Sequence, residues 1–160
     1  MVHTVNSATR AAIERLYREE GRRLWWALLA YSGDRDVASD ATAEAFAQAL
    51  GRGSEIRDPG AWVWRVAFRV AAGELKRRRG TDHRVPDFAD PVDQPQPAQE
   101  LLALLSRLPD QQRAAIVLHY YADRPVDDIA EALGVSAATA RVHLHRGRRR
   151  IRQLLEEEDD

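Results

Sequence analysis

The sequence predicts an all-α protein of two small helical domains, joined by a Pro/Asp-rich linker, with a helix-turn-helix in the C-terminal domain. Apolar residues recur at the three- and four-residue spacing of amphipathic helices, and no stretch alternates apolar with polar residues as a strand would. Capping residues and prolines mark several helix starts. A segment rich in proline and aspartate divides the 160 residues into two parts of small-domain size.

The N-terminal domain is predicted at residues 8–80 and begins with a helix that Gly21 breaks or kinks. A turn ending in Asp34 caps a second helix, from about Arg35 to Leu50, and a polar loop follows at Gly51–Arg57.

Asp58 and Pro59 together form a strong signal for a third helix, because they supply a cap and then a proline at the first helical position. This helix runs to about Arg79 and is expected to present Trp62 to the core, which leaves Trp64 directed elsewhere.

The linker is predicted at residues 81–98, and the C-terminal domain at 99–155. Core candidates in that domain include the leucines from Leu101 to Leu108, Tyr120, Tyr121 and Leu155. The last segment, 156–160, is an acidic tail of five residues that could compete with DNA for nearby arginines.

The helix-turn-helix is predicted at Val126–Ile151. Its first helix ends at Gly134, its second begins at the N-cap Ser136, and such a second helix can enter the major groove of DNA. We expect the first turns to face base edges and the arginines that follow to hold phosphates. The residues predicted to contact DNA here are Ser136, Ala137, Thr139, Ala140, Arg141, His143, Arg146, Arg148 and Arg149.

Composition limits the classes of function. The chain has no cysteine, which excludes disulfides and thiolate metal sites. Its 24 basic and 25 acidic residues give a net charge of −1, which suggests that DNA binding depends on a partner. No apolar run approaches a membrane span and no signal peptide is recognisable, so we expect a cytoplasmic protein without membrane insertion.

Catalytic and metal sites are not expected. The chain shows no glycine-rich phosphate loop and no nucleophile beside a base, so neither an enzyme nor a bound cofactor is predicted. His143 and His145 lie two residues apart, which sends them in different directions from a helix and makes a metal site improbable.

Three stretches of the sequence resemble the small sigma factors of bacterial RNA polymerase, of the extracytoplasmic-function type. The stronger likeness is LPDQQRAAIVLHYYADRPVDDIAEALGVSAATARVHLHRGRRRIRQLL, which resembles the fourth conserved region of that family. GDRDVASDATAEAFAQAL and AWVWRVAFRVAAGELKRR resemble the second. The resemblance implies core RNA polymerase and promoter DNA as partners, with an anti-sigma factor as a further partner that nothing in the sequence identifies.

The resemblance also implies roles for residues in the N-terminal domain. Asp40 and Glu44, one helical turn apart, would dock to the largest polymerase subunit. The third helix and the loop before it would engage an unstacked base of the downstream promoter element. Candidates for that contact are Arg52, Arg57, Trp64, Arg65, Arg69, Lys76 and Arg77.

Two other functions stay open at this point. A stand-alone helix-turn-helix regulator would bind operator DNA without polymerase, but it needs a ligand pocket or dimer seam that the N-terminal half does not clearly offer. A module that binds only proteins is the weaker alternative.

Overall fold

The computed structural model describes residues 7–78 and 96–159, and within these ranges the chain is helical with no β-strand. The described helices are α1 (Ser7–Ser32), α2 (Arg35–Arg52), α3 (Pro59–Arg78), α4 (Gln96–Leu105), α5 (Asp110–Ile116), α6 (Val126–Leu133) and α7 (Ala137–Glu158). A 3-10 turn at Gly53–Glu55 follows α2, and a π-helical segment at Val117–Tyr121 continues α5. The all-α fold class is therefore confirmed.

The N-terminal half, α1 to α3, and the C-terminal half, α4 to α7, pack against each other. Helix α3 lies on α6, while α1 contacts α5 and the π-helical segment. Buried apolar residues form one cluster that runs through both halves. Among the described residues, no helix is long and apolar enough to cross a lipid bilayer.

Asp34 connects the start of α2 to the end of α3. Its carboxylate accepts hydrogen bonds from the backbone N–H groups of Asp36, at 2.8 Å, and Val37, at 3.1 Å, and it pairs with the Arg78 guanidinium. Burial alone would raise the pKa of Asp34, but the Val37 N–H and Arg78 outweigh it, and the pKa is lowered. The predicted cap is confirmed, and the ionised carboxylate also fixes the end of α3.

Helix α1 does not break at Gly21, so that prediction is wrong. The helix is continuous from Ser7 to Ser32, and Gly21 is buried within it. A Cβ at this position would lie 3.3 Å from Cδ2 of Tyr17, whose ring packs edge-on against Phe46 with 5.0 Å between centroids. The glycine therefore gives the tyrosine ring room to pack rather than ending the helix.

The predicted loop at Gly51–Arg57 is largely helical. Helix α2 continues to Arg52, and the 3-10 turn follows directly. The turn begins at Gly53, whose φ of 53° is a left-handed angle that a glycine adopts without strain. Asp58 then begins α3 as predicted, because its Oδ1 accepts the Ala61 N–H at 3.2 Å.

Four predicted core residues of the C-terminal half are exposed instead. Leu101, Tyr120, Tyr121 and Leu155 are 53%, 56%, 43% and 48% exposed. All four line one open apolar groove of about 700 Å³, between α1, α4, the π-helical segment and α7. These elements diverge there, so the spacing of the leucines predicted their shared face correctly but not how completely it is covered.

The ends of the C-terminal half differ from the predicted boundaries. Of the predicted linker, 81–95 lies outside the described residues and 96–98 belongs to α4. The predicted acidic tail begins inside α7, which continues to Glu158, and Glu157 lies 3.7 Å from Arg107. The described tail acids therefore extend the helix, which carries them away from most of its own arginines.

A close approach between α7 and α5 depends on Gly147. A Cβ there would lie 2.8 Å from Cγ1 of Ile116, whereas a Cβ at Gly73, an exposed glycine in α3, would meet nothing within 4 Å. Gly73→Ala should raise the free energy of unfolding by about 0.5–1 kcal/mol through helix propensity. Gly147→Ala should lower it by about 1–2 kcal/mol despite the same propensity gain, because the core must shift. Urea denaturation of both variants checks this, and an equal gain in both would contradict the packing at Gly147.

Candidate nucleic-acid interface

The turn between α6 and α7 is built from local signals that the sequence contains. Gly134 adopts a left-handed conformation with φ 69° and ends α6, and the Val135 N–H donates to the Ala130 carbonyl at 3.0 Å. The Ser136 hydroxyl accepts the Thr139 N–H at 3.1 Å and caps α7, as predicted. A helix start of this kind can also bind an anion through its N–H groups.

The solvent-exposed side of α7 carries most of the residues predicted to bind DNA. Ala137 is half-buried, and the other accessible members of the set are exposed: Ser136, Thr139, Arg141, Arg146, Arg148 and Arg149. Arg148 is additionally oriented by Tyr120, because its Nε donates to the tyrosine hydroxyl and its guanidinium lies 5.4 Å from the ring centroid.

Ala140 is the exception, since it is 0% exposed and belongs to the core. Its short side chain faces the rest of the C-terminal half, so it cannot reach a base. The solvent-exposed side of α7 instead carries Ala138, Val142 and His145, which the sequence prediction left out. Their spacing from Ala138, at plus four and plus seven, would have identified them as one helical stripe.

His143, like Ala137, is half-buried, whereas the other accessible residues predicted to bind DNA are exposed. Its Nδ1 has no hydrogen-bond partner among the described residues. Burial, together with the nearby Arg146 guanidinium, lowers the pKa of His143 below its usual value near 6.5. This shift favours the neutral imidazole at pH 7 in the free chain.

A second basic surface lies on α3 and the segment before it. Arg52, Arg57, Lys76 and Arg77 are exposed there, and Arg77 pairs with Glu74. The guanidinium of Arg52 lies 6.0 Å from the centroid of the Trp62 ring. An exposed arginine over a half-buried tryptophan is an arrangement that can stack on an unpaired base.

The burial of Trp62 and Trp64 is the reverse of what the sequence predicted. Trp64 is 2% exposed and its Nε1 donates to Glu20 Oε2 at 3.1 Å, whereas Trp62 is only half-buried. The prediction that Trp64 contacts DNA therefore does not fit this structure, and Trp62 is the tryptophan that solvent can reach. Helical spacing showed that the two rings point apart but not which one faces the core.

Arg65 and Arg69 are engaged by the other half of the chain. The Arg65 guanidinium pairs with the Glu131 carboxylate of α6, and Arg69 donates to the Glu131 carbonyl at 3.3 Å. These two predicted DNA contacts are thus brought against the first helix of the helix-turn-helix.

Asp40 and Glu44 are both exposed on α2, one turn apart as predicted. The Gln48 side-chain amide donates to Glu44 at 2.8 Å. Within the described parts of the chain, no group of three His, Asp or Glu side chains is arranged to hold a metal ion.

Comparison with known proteins identifies the C-terminal half most clearly. The family described as sigma-70, region 4, matches residues 98–151. The ECF RNA polymerase sigma factor SigE of Mycolicibacterium smegmatis is 29% identical over 95% of this chain and 65% of its own length. The probable ECF sigma factor SigI of Mycobacterium tuberculosis is 31% identical over 76% of this chain. The chain spans about half to two thirds of the length of these two relatives.

A solved structure has the same fold. The sigma factor RpoE from Bartonella quintana, in complex with the anti-sigma factor NepR, superimposes with a TM-score of 0.67 at 19% identity. The match covers 89% of this chain and 98% of that one, so the likeness of fold extends over both halves.

The lowered pKa of His143 predicts a pH dependence of stability. The folded state binds a proton on His143 more weakly than the unfolded state does. The neutral imidazole therefore contributes fully to the free energy of unfolding above pH 6.5, and this contribution is lost as the pH falls below that value. His143→Gln should therefore flatten the decline in unfolding free energy between about pH 7 and pH 5. Urea titrations at each pH measure this, with His145→Gln, at an exposed histidine two residues on, as the control. Equal curves for His143→Gln and the parent would contradict the burial of His143.

Proposed function

The chain belongs to the extracytoplasmic-function sigma factors of bacterial RNA polymerase, and on that premise we propose that it directs core polymerase to a specific set of promoters. One observation carries the proposal: the stretch that matches sigma-70 region 4 forms a capped helix pair whose second helix exposes a row of arginines. The N-terminal half supplies a second basic surface and an acidic one. The activity proposed is that of a DNA-binding regulator that acts in the cytoplasm, without catalysis of its own.

Helix α7 would read the upstream promoter element as duplex DNA. Its first turn offers the capped helix start, Arg141 and Val142 face outward for base contacts, and Arg146 and Arg149 can reach phosphates. Val142 adds an apolar group suited to a thymine methyl.

The surface of α3 would engage the downstream element. Arg52 over Trp62 provides a flat cationic and aromatic pair, and Arg57 lies close in sequence. Arg65 and Arg69 would join this contact once they are released from Glu131.

Polymerase docking is proposed at Asp40 and Glu44. Both carboxylates are exposed on a face of α2 that the C-terminal half does not cover, so they are accessible while the halves are packed together. An anti-sigma factor is a further proposed partner, since RpoE of Bartonella quintana was solved with one.

Reconstituted transcription tests the proposal directly. Core polymerase and the chain are incubated with fragmented genomic DNA of the host, and the 5′ ends of the transcripts are sequenced. We expect a defined set of start sites that share two sequence elements upstream. A stand-alone regulator would give no specific transcript, and the chain alone would protect a palindrome from nuclease; that pair of results would contradict the proposal.

The reader role of α7 predicts the effect of Arg141→Ala in this assay. Loss of one base contact should cost about 1–3 kcal/mol, which is about a 5- to 150-fold rise in the holoenzyme concentration needed for half-maximal transcript. Arg15→Ala, at an exposed arginine of α1, is the control and should transcribe as the parent does. If both variants behave alike, Arg141 does not read the promoter.

The acidic face of α2 predicts weakened polymerase binding in the double variant Asp40→Asn, Glu44→Gln. Removal of two interface charges should raise the dissociation constant for core polymerase by about tenfold, mainly through a slower association that depends on salt. The matched control Glu19→Gln, Glu55→Gln removes the same charge from exposed sites elsewhere in the N-terminal half. Equal losses in the two double variants would show a general charge effect and not a docking site.

A further inference from the structure

The contact between α6 and α3 pairs an acid of the helix-turn-helix with two arginines of the other basic surface. Glu131 lies near the end of α6, and its carboxylate forms an ion pair with Arg65, which is only 27% exposed at its side chain. Its main-chain carbonyl accepts a hydrogen bond from Arg69 at 3.3 Å. One residue thus holds two cations that are 62 and 66 positions away in sequence.

Other polar contacts along the same junction also connect the two halves. The Arg124 guanidinium lies 5.5 Å from the centroid of the Trp64 ring. Arg23 of α1 donates to the Tyr121 carbonyl and pairs with Asp123 at 3.3 Å. Each exposed ion pair of this kind is weak and is screened by salt, so these contacts hold the edge of the junction only weakly.

When the two halves are packed together, the two basic surfaces differ in how accessible they are to DNA. Arg141, Arg146 and Arg149 on α7 remain exposed, so duplex DNA can reach the reader helix while the halves are packed. Arg65 lies against α6, so a nucleic-acid strand that binds its guanidinium must first displace the Glu131 carboxylate. Arg69 remains exposed and donates only to the Glu131 main-chain carbonyl.

We propose that Glu131 is an intramolecular competitor for DNA at the α3 surface. Its carboxylate offers Arg65 the same charge and the same acceptor oxygens as a DNA phosphate. In the free chain it occupies Arg65, while the other arginines and the lysine of the α3 surface stay exposed, and separation of the halves makes Arg65 available to single-stranded DNA. The role of this contact in transcription rests on the proposed function, whereas the contact between Glu131 and Arg65 does not.

The test uses the absence of cysteine in the chain. Ala47→Cys on α2 and Gln153→Cys on α7 are both at exposed positions and accept a donor and an acceptor dye. Single-molecule energy transfer then reports the separation of the halves in the full-length protein. Glu131→Gln should raise the open-to-closed ratio by about two- to fivefold at low salt, and high salt should remove the difference.

A binding measurement provides the second readout. The probe is a fluorescent single-stranded 20-mer of random sequence, titrated with the full-length chain. Glu131→Gln should bind it about two- to fivefold more tightly than the parent, because the competitor is gone. Asp127→Asn is the matched control, since it removes one exposed acid from the same helix, and it should change the energy transfer and the binding by less than twofold.

The outcomes separate this inference from the proposed function. If Glu131→Gln and Asp127→Asn give the same energy transfer and the same affinity, Glu131 is not a competitor, even if the chain initiates transcription. If Glu131→Gln opens the halves and tightens binding while no promoter is transcribed, the inference stands and the proposed function fails. Circular dichroism of each variant confirms that the helices are intact.

Discussion

A buried arginine determines how the two halves of this chain meet. Arg113 is 8% exposed, and its Nε donates to the carbonyl of Tyr31 at the end of α1. Its terminal nitrogens donate to the Leu108 carbonyl at 2.7 Å and to Asp110 at 2.9 Å, and its guanidinium lies 5.5 Å from the Tyr31 ring centroid. A buried charge is tolerated only with such partners, so α1 and α5 must stay in register where it lies.

The position of α7 follows from that junction. Helix α7 packs on α5 at Gly147, so α7 is oriented relative to α1 through α5 and Arg113. The same docking brings α6 onto α3 and places Glu131 beside Arg65. A single arrangement therefore presents one basic surface to solvent and covers part of the other, although both have similar chemistry.

The parts of this structure that could be predicted from sequence are those with local causes. Asp34, Asp58 and Ser136 cap their helices because each needs only N–H groups two or three residues away. Contacts between distant residues, such as the pair Arg65 and Glu131, leave no periodic signal in a single sequence. The same limit explains Trp64, whose burial depends on which side of α3 the neighbouring helices occupy, and spacing alone does not specify that side.

On the proposed function, one chain places two different surfaces on two separate promoter elements when it is bound to polymerase. Site-specific photo-crosslinking tests it most directly, with single cysteines introduced at Ala138 on α7 and at Ser54 before α3, both exposed positions. With core polymerase on a promoter found by transcription, we expect Ala138→Cys to crosslink to the upstream element and Ser54→Cys to the downstream element of the non-template strand. Crosslinks from both positions to one element, or the same pattern without polymerase, would contradict the account.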